Sequence, residues 1–374
     1  RNNEDIMMSK MMYRKIMIQP EKFRSTDFAT ATTIVSVPVP ESAGENEVMV
    51  RVTHAGVQAS DIIQMSGGYG TLASTNPTPL EQATGANQPG DLGCEAVGVI
   101  MKVGTEVDSQ HWPIGQPVCF FGYGVAFREV VTIPTSSLYK VPTAIPDWTA
   151  FPVSALTAMG GLEIVGKIRS LQNPSVLVTG AAGGTGHLAV QFAKVHGAKV
   201  AGTCGSTAKE SMLRSIGCDV VLNYRTSPDV EDELKNAFPD GFDIVYDGVG
   251  GRIGDVGRRL LSATGTFVGI GTVSEDYSGK SGADADNRKT TSSKATLKPG
   301  QREEFFFMPA GPKMVGQAGW DDIVKRTKEA LADGTVKVVL DAESGSYQGI
   351  EGVYEAQERM RSGQNVGKIY VSFP

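Results

Sequence analysis

Residues 175–202, "SVLVTGAAGGTGHLAVQFAKVHGAKVAG", constrain this chain more than any other segment. A short apolar run meets Gly180, Gly183 and Gly186, a helical pattern begins at once, and a second apolar run follows. That is a strand–turn–helix–strand unit, the setting in which a glycine motif signifies dinucleotide binding. Small residues let the backbone approach a pyrophosphate, and the N-terminus of the helix offers unpaired N–H groups with a favourable dipole. A tight turn that holds nothing is the plainer alternative, and the strand–helix context argues against it. Candidate cofactor contacts are Ala182, Gly183, Gly184, Thr185 and Gly186 in the turn, and Gly202 and Thr203 on the second strand.

The choice of nucleotide is read from that second strand. An NAD site usually ends it with Asp or Glu, which bonds the ribose 2′-hydroxyl. Here it ends "VAGTCGSTAKE" with no acid at its tip, Ser206 and Lys209 follow, and Tyr224 closes the next strand. Hydroxyls and an ammonium suit a 2′-phosphate, which a carboxylate would repel. Lys209 taken alone is a solvated surface lysine; the missing acid tips the reading to NADPH.

Strands and helices keep alternating to about residue 272, which predicts a doubly wound parallel sheet. Upstream of residue 150 the character differs. "NEVMVRVTHAGV", "GVIMKVG", "GQPVCFFG", "FREVVTIP" and "SLYKVP" are short strands separated by turns. "FPVSALTAMGGLEIV" reads as a helix between the two regions. Polar segments at 71–90 and 274–302 lack large apolar groups and are expected to be mobile loops.

At 374 residues the chain has length for two domains, and a net charge of −6 gives no nucleic-acid footprint. No run suggests a membrane span. The four cysteines, Cys94, Cys119, Cys204 and Cys218, have no paired spacing, which suits a reducing compartment. The opening "RNNEDIMMSKMM" has no apolar signal core. A cytoplasmic setting is expected, with a mitochondrial or peroxisomal one left open because Arg1, not Met, stands first.

The order of parts — a β-rich region, "AAGGTG", "GTCGSTAKESMLRSIGCDVVLNY", "DGVGG" and "NVGKIYV" — resembles the medium-chain dehydrogenase/reductase superfamily, in its zinc-independent quinone oxidoreductase and enoyl reductase branch. The resemblance implies an α/β chain: a doubly wound, parallel-sheet Rossmann domain (151–314) inserted in a β-rich GroES-like catalytic domain (13–150 and 315–374). It implies an active site in the interdomain cleft and a homodimer paired through "EFFFMP". Residue by residue, it places Thr157, Val249, Gly250 and Ile270 beside the nicotinamide, and Asn365 and Lys368 in the terminal segment that reaches the cofactor. Gln58 stands where the branch often has asparagine, and Tyr69 matches a tyrosine near the substrate.

The chemistry so implied is addition of hydride to the β-carbon of an α,β-unsaturated ketone or enoyl thioester, 15-ketoprostaglandin-like or enoyl-CoA-like. The cofactor supplies the hydride, and the protein must polarise the carbonyl and deliver a proton. Tyr69 is the candidate acid and Gln58 a candidate amide, although Tyr69 also reads as a turn residue packing at the rim, with solvent as donor. A quinone reductase, or a nucleotide-binding protein without turnover, fits the same scaffold. A zinc alcohol dehydrogenase does not. Zinc relatives carry histidine at the position of Cys94 in "DLGCEAVG" and a cysteine at that of Gln58, and one thiol beside Glu95 is short of the three ligands required. Cys94 is therefore expected to be a small, semi-buried residue. His187, directly after the glycine turn, is read as a helix cap or surface residue ahead of packing near the phosphates, and Asp61 is expected to cap or pin the helix that it opens.

Overall fold

The computed structural model describes residues 11–23, 25–66, 90–271 and 295–374. Tyr69, Thr272 and most of the two polar segments lie outside these.

The β-rich part begins with β1 (Met12–Ile18) and β2 (Thr32–Pro38), paired antiparallel. Next come β3 (Glu47–Val57), helix α1 (Ala59–Met65), β4 (Glu95–Val103), β5 (Pro117–Phe121), β6 (Val130–Pro134) and β7 (Leu138–Lys140). A long central strand, β3, takes β4 on one side, and its first half pairs with β6. Its second half pairs with the strand that ends the chain, Ile369–Ser372. Residues more than 300 positions apart thus share one antiparallel sheet around an apolar core that includes Val50, Val52, Ala96, Phe120 and Val371.

Pro146–Val165 links the two parts as one helical stretch with wide turns at Phe151–Ala155 and Gly161–Val165. It is long and apolar enough to cross a membrane, contrary to the sequence reading, but 83% of its apolar window is buried in the protein. Its central turn, α2 (Leu156–Gly160), is wholly buried, and a Cβ at Gly160 would collide with the Phe306 ring. Such a site is a core helix of the fold.

The second sheet is built from β8 (Ser175–Val178), α3 (Gly186–Val195), β9 (Lys199–Cys204), α4 (Thr207–Ser215), β10 (Val220–Asn223), α5 (Val230–Ala237), β11 (Phe242–Asp247), α6 (Gly251–Arg259), β12 (Leu261–Gly269) and β13 (Arg302–Phe305). All strands are parallel, in the order β10-β9-β8-β11-β12-β13. Numbered from β8 this is 3-2-1-4-5-6, the doubly wound dinucleotide-binding order. Helix α7 (Gly311–Ala332) follows; its backbone breaks at Gly316 (φ 75°), beside the expected domain boundary at 315. Helix α8 (Gly352–Arg361) and β14 (Ile369–Ser372) complete the chain.

His187 departs from the sequence reading. It is fully buried, with Nδ1 2.8 Å from the Gly183 carbonyl, and its Nε2 accepts the Val339 N–H at 3.0 Å. Burial lowers its pKa to about 4, so the ring is neutral and joins the glycine turn to the segment between α7 and α8.

Candidate active site

The glycine turn is shaped by contacts that exclude side chains. Gly180 has φ +55°, and a Cβ on Gly186 would collide with the Gly180 carbonyl and the Ala181 backbone. The Thr185 side chain does not cap α3; the His187 and Leu188 N–H groups donate to the Gly183 and Thr185 carbonyls, both at 3.2 Å. The turn is also held from outside: the Gly367 N–H donates to the Ala182 carbonyl at 2.8 Å.

A cleft of about 400 Å³ opens over this turn and over the carboxyl ends of β8, β9 and β11, where the strand order reverses. The structure brings Gln58, Thr157, Ala182, Gly183, Gly184, Thr185, Gly186, Thr203, Lys209, Tyr224, Val249, Ile270, Asn365 and Lys368 to its walls. Three expected contacts are not among these wall residues. Gly202 packs inside β9, where a Cβ would press on Ala181 and the Cys218 sulfur. Ser206 caps α4 by accepting the Lys209 N–H at 3.4 Å. Gly250 caps α6, and its N–H donates to Asp247 at 2.9 Å. Tyr69 is outside the described residues.

At one end of the cleft the Tyr224 phenol packs over Gly205, and a Cβ there would lie 2.6 Å from its oxygen. Lys209 Nζ donates to the Gly363 carbonyl at 2.7 Å; desolvation lowers its pKa. Among the described residues no carboxylate lines this end.

The floor is a buried polar cluster. Lys368 is 1% exposed and Glu95 fully buried, and the two form an ion pair. Lys368 Nζ also donates to the Val57 carbonyl at 3.3 Å, and the second Glu95 oxygen accepts the Val153 N–H at 3.1 Å. Burial raises the Glu95 carboxyl above its usual value against the opposing pull of the Lys368 ammonium. The ammonium of Lys368 is thus turned to Glu95, while its stem runs beside Gly184. Asp61 caps α1 as expected, with Oδ2 accepting the Gln58 N–H at 2.9 Å and Gln357 Nε2 at 3.1 Å.

Sequence reasoning missed Ser60, Phe121, Tyr123, Phe306 and Phe307, which also line the cleft. "FFGYG" carried a signal, since aromatic residues beside glycines after a strand lie where a wall can form. Cys94 is fully buried rather than semi-buried, with its sulfur 3.8 Å from Gln64 Oε1. Among the described residues no group of three or more His, Cys, Asp or Glu could hold a metal ion. An amide at 58 and a protonated, buried thiol at 94 do not fit zinc.

Residues 44–143 match the alcohol dehydrogenase GroES-like domain, and residues 184–298 match the zinc-binding dehydrogenase family. With a nucleotide-type parallel sheet and a cleft against a β-rich domain, the chain belongs to the medium-chain dehydrogenase/reductase superfamily and is a nicotinamide-dependent oxidoreductase. It is similar to prostaglandin reductase-3 of Mus musculus, 33% identical over 94% of this chain and 87% of that protein. It is equally similar to a probable quinone oxidoreductase of Leishmania amazonensis, 33% identical over 93% of this chain and 95% of that one. Among solved structures, an Escherichia coli quinone oxidoreductase complexed with NADPH shares the fold, with a TM-score of 0.71 and 23% identity over 96% of this chain and 99% of its own.

Proposed function

We propose that the chain reduces an activated C=C bond, in an α,β-unsaturated ketone or enoyl thioester, with NADPH and without a metal. The observation that carries this is the composition of the cleft: aromatic and aliphatic walls beside the glycine turn, with neutral donors such as Gln58 and Thr157 and, among the described residues, no metal-ligand set. A reduced nicotinamide bound there supplies hydride. Gly183, Gly184 and Gly186 admit the pyrophosphate, and Lys209 with Tyr224 takes the 2′-phosphate. The Gln58 side-chain nitrogen is buried without a hydrogen-bond partner, a donor placed to polarise a substrate carbonyl as charge develops on its oxygen. The resemblance of the whole chain to a prostaglandin reductase supports the enone class.

A quinone is the second reading, favoured by the similarity to a probable quinone oxidoreductase. NADPH oxidation measured with an enone, an enoyl-CoA and a quinone separates the readings. Consumption with the first two supports the proposal, consumption with the quinone alone supports the second, and none with any supports a binding protein without turnover. The subunit is proposed to pair along β13, an edge strand on which Phe305 is 54% exposed; a monomeric mass by sedimentation contradicts that.

A further inference from the structure

Among the described residues the charged groups that line the cleft are all cations: Lys209, Arg361 and Lys368. Lys368 is buried in its ion pair with Glu95. Lys209 donates to the Gly363 carbonyl and stands at the end proposed for the 2′-phosphate. Arg361, the last residue of α8, is half-buried and has no hydrogen-bond or ion-pair partner among the described residues. Its charge reaches the Asp27 carboxylate, but that group forms no ion pair with it and instead caps Phe28–Ala31, accepting the Thr30 N–H at 3.4 Å. Arg359, two positions earlier, differs: it pairs with Asp341 at 3.4 Å and Glu343 at 3.2 Å.

Helix spacing places Arg361. Residues four apart share one face of a helix. Gln357, four positions before Arg361, donates to Asp61 Oδ2, so that face of α8 is turned to α1, the helix that Gln58 opens. Arg361 stands one turn further along the same face. Met360 beside it lines the cleft, as do Ala59, Ser60 and Ile63 of α1. The wall there is uncharged apart from this guanidinium, whose planar fork matches a carboxylate or a phosphate.

We infer that Arg361 is a specificity-determining residue that binds an anionic group, a carboxylate or a phosphate, on the tail of the substrate, while Gln58 holds the carbonyl of the activated bond. The inference rests on the C=C reading above and narrows it to enones or enoyl thioesters that carry negative charge away from the reacting atoms. In that reading both anionic parts of the cofactor already have partners, the pyrophosphate in the glycine turn and the 2′-phosphate at Lys209 and Tyr224, which leaves Arg361 to the substrate. Because Arg361 is partly exposed, its attraction is screened by salt.

The test uses the full chain with NADPH and paired substrates. One pair is an enone with a terminal carboxylate and its methyl ester; the other is an enoyl-CoA and the matching N-acetylcysteamine thioester. Wild type is expected to show the lower KM for the charged member of at least one pair, and the pair that responds tells a carboxylate from the CoA phosphates. Arg361→Gln should raise that KM about tenfold, the scale of one charge-assisted hydrogen bond, with kcat kept and the neutral member unchanged. Arg361→Lys should retain part of the discrimination, and added salt should erode it in wild type. Equal KM values within both pairs, or equal changes in charged and neutral members, overturn the inference. Weaker NADPH binding in Arg361→Gln by fluorescence titration, with the KM ratios unchanged, assigns Arg361 to the cofactor and also overturns it. No NADPH oxidation by wild type with any of these substrates contradicts the proposed function itself.

Discussion

Lys368, on the residue before β14, reaches Glu95 at the start of β4 and forms a fully buried ion pair that joins the turn-contacting end of the chain to the β-rich sheet. Gly56 makes room for it, since a Cβ there would lie 2.8 Å from Glu95 and 3.0 Å from Lys368. Through Val153 the same carboxylate holds the wide turn Phe151–Ala155 just before α2, which carries Thr157 to the cleft. Removing one partner strands a buried charge and is expected to cost about 3–5 kcal/mol. Lys368→Met and Glu95→Gln should each lower the denaturant midpoint, and the double variant should recover much of the loss. A double variant as unstable as the sum of the singles would show that the two residues act separately.

Gly186→Ala places a methyl against the Gly180 carbonyl, so the turn must open. Nucleotide binding, followed by NADPH fluorescence, should fall by at least about tenfold, the scale of one lost hydrogen bond to a charged group. Unchanged binding would show that the turn is not the pyrophosphate site.

Lys209→Ala should weaken NADPH by roughly 10–100-fold, the same charge-assisted scale, and leave NADH nearly untouched. Equal losses for both nucleotides would remove Lys209 from the 2′-phosphate. Its side chain already holds the Gly363 carbonyl, so the NADH control separates that role from phosphate binding.

His187 sets a pH dependence of stability. Its pKa drops from 6.5 to about 4 on folding, so between those values the unfolded chain binds more protons. Stability contributed by the neutral ring is complete above about pH 6.5 and is lost as pH falls toward 4, by an amount on the order of 3 kcal/mol. Unfolding free energies measured from pH 4 to 7 should rise with pH, with a shallower slope in His187→Gln. Equal slopes would assign the dependence to other groups.

Local patterns in the sequence were enough for the parallel sheet. Glycines between an apolar run and a helical run left one reading, and Val230–Ala237 begins at Asp229, whose carboxylate caps it. Most of the candidate cofactor residues line the cleft for the same reason, because they sit on the strand–helix turns that define the fold. What the sequence hid depends on distant pairing. Nothing near Lys368 signals Glu95, which is 273 positions away. His187 looked like a surface cap because Val339, its partner 152 positions on, is not part of any local pattern. Gly202, Ser206 and Gly250, read as ligand contacts from position, have packing and capping roles that the sequence reading did not include. Ser60 was hidden because a serine at a helix start reads as ordinary.

The most direct test of the central claim follows the hydride itself. NADPH deuterated at the transferable position of the nicotinamide is incubated with an enone and protein dialysed against a chelator, and the product is read by mass spectrometry and NMR. Deuterium on the β-carbon of a saturated ketone is the predicted result. Deuterium on the carbonyl carbon of an allylic alcohol, or transfer that requires added zinc, would contradict it.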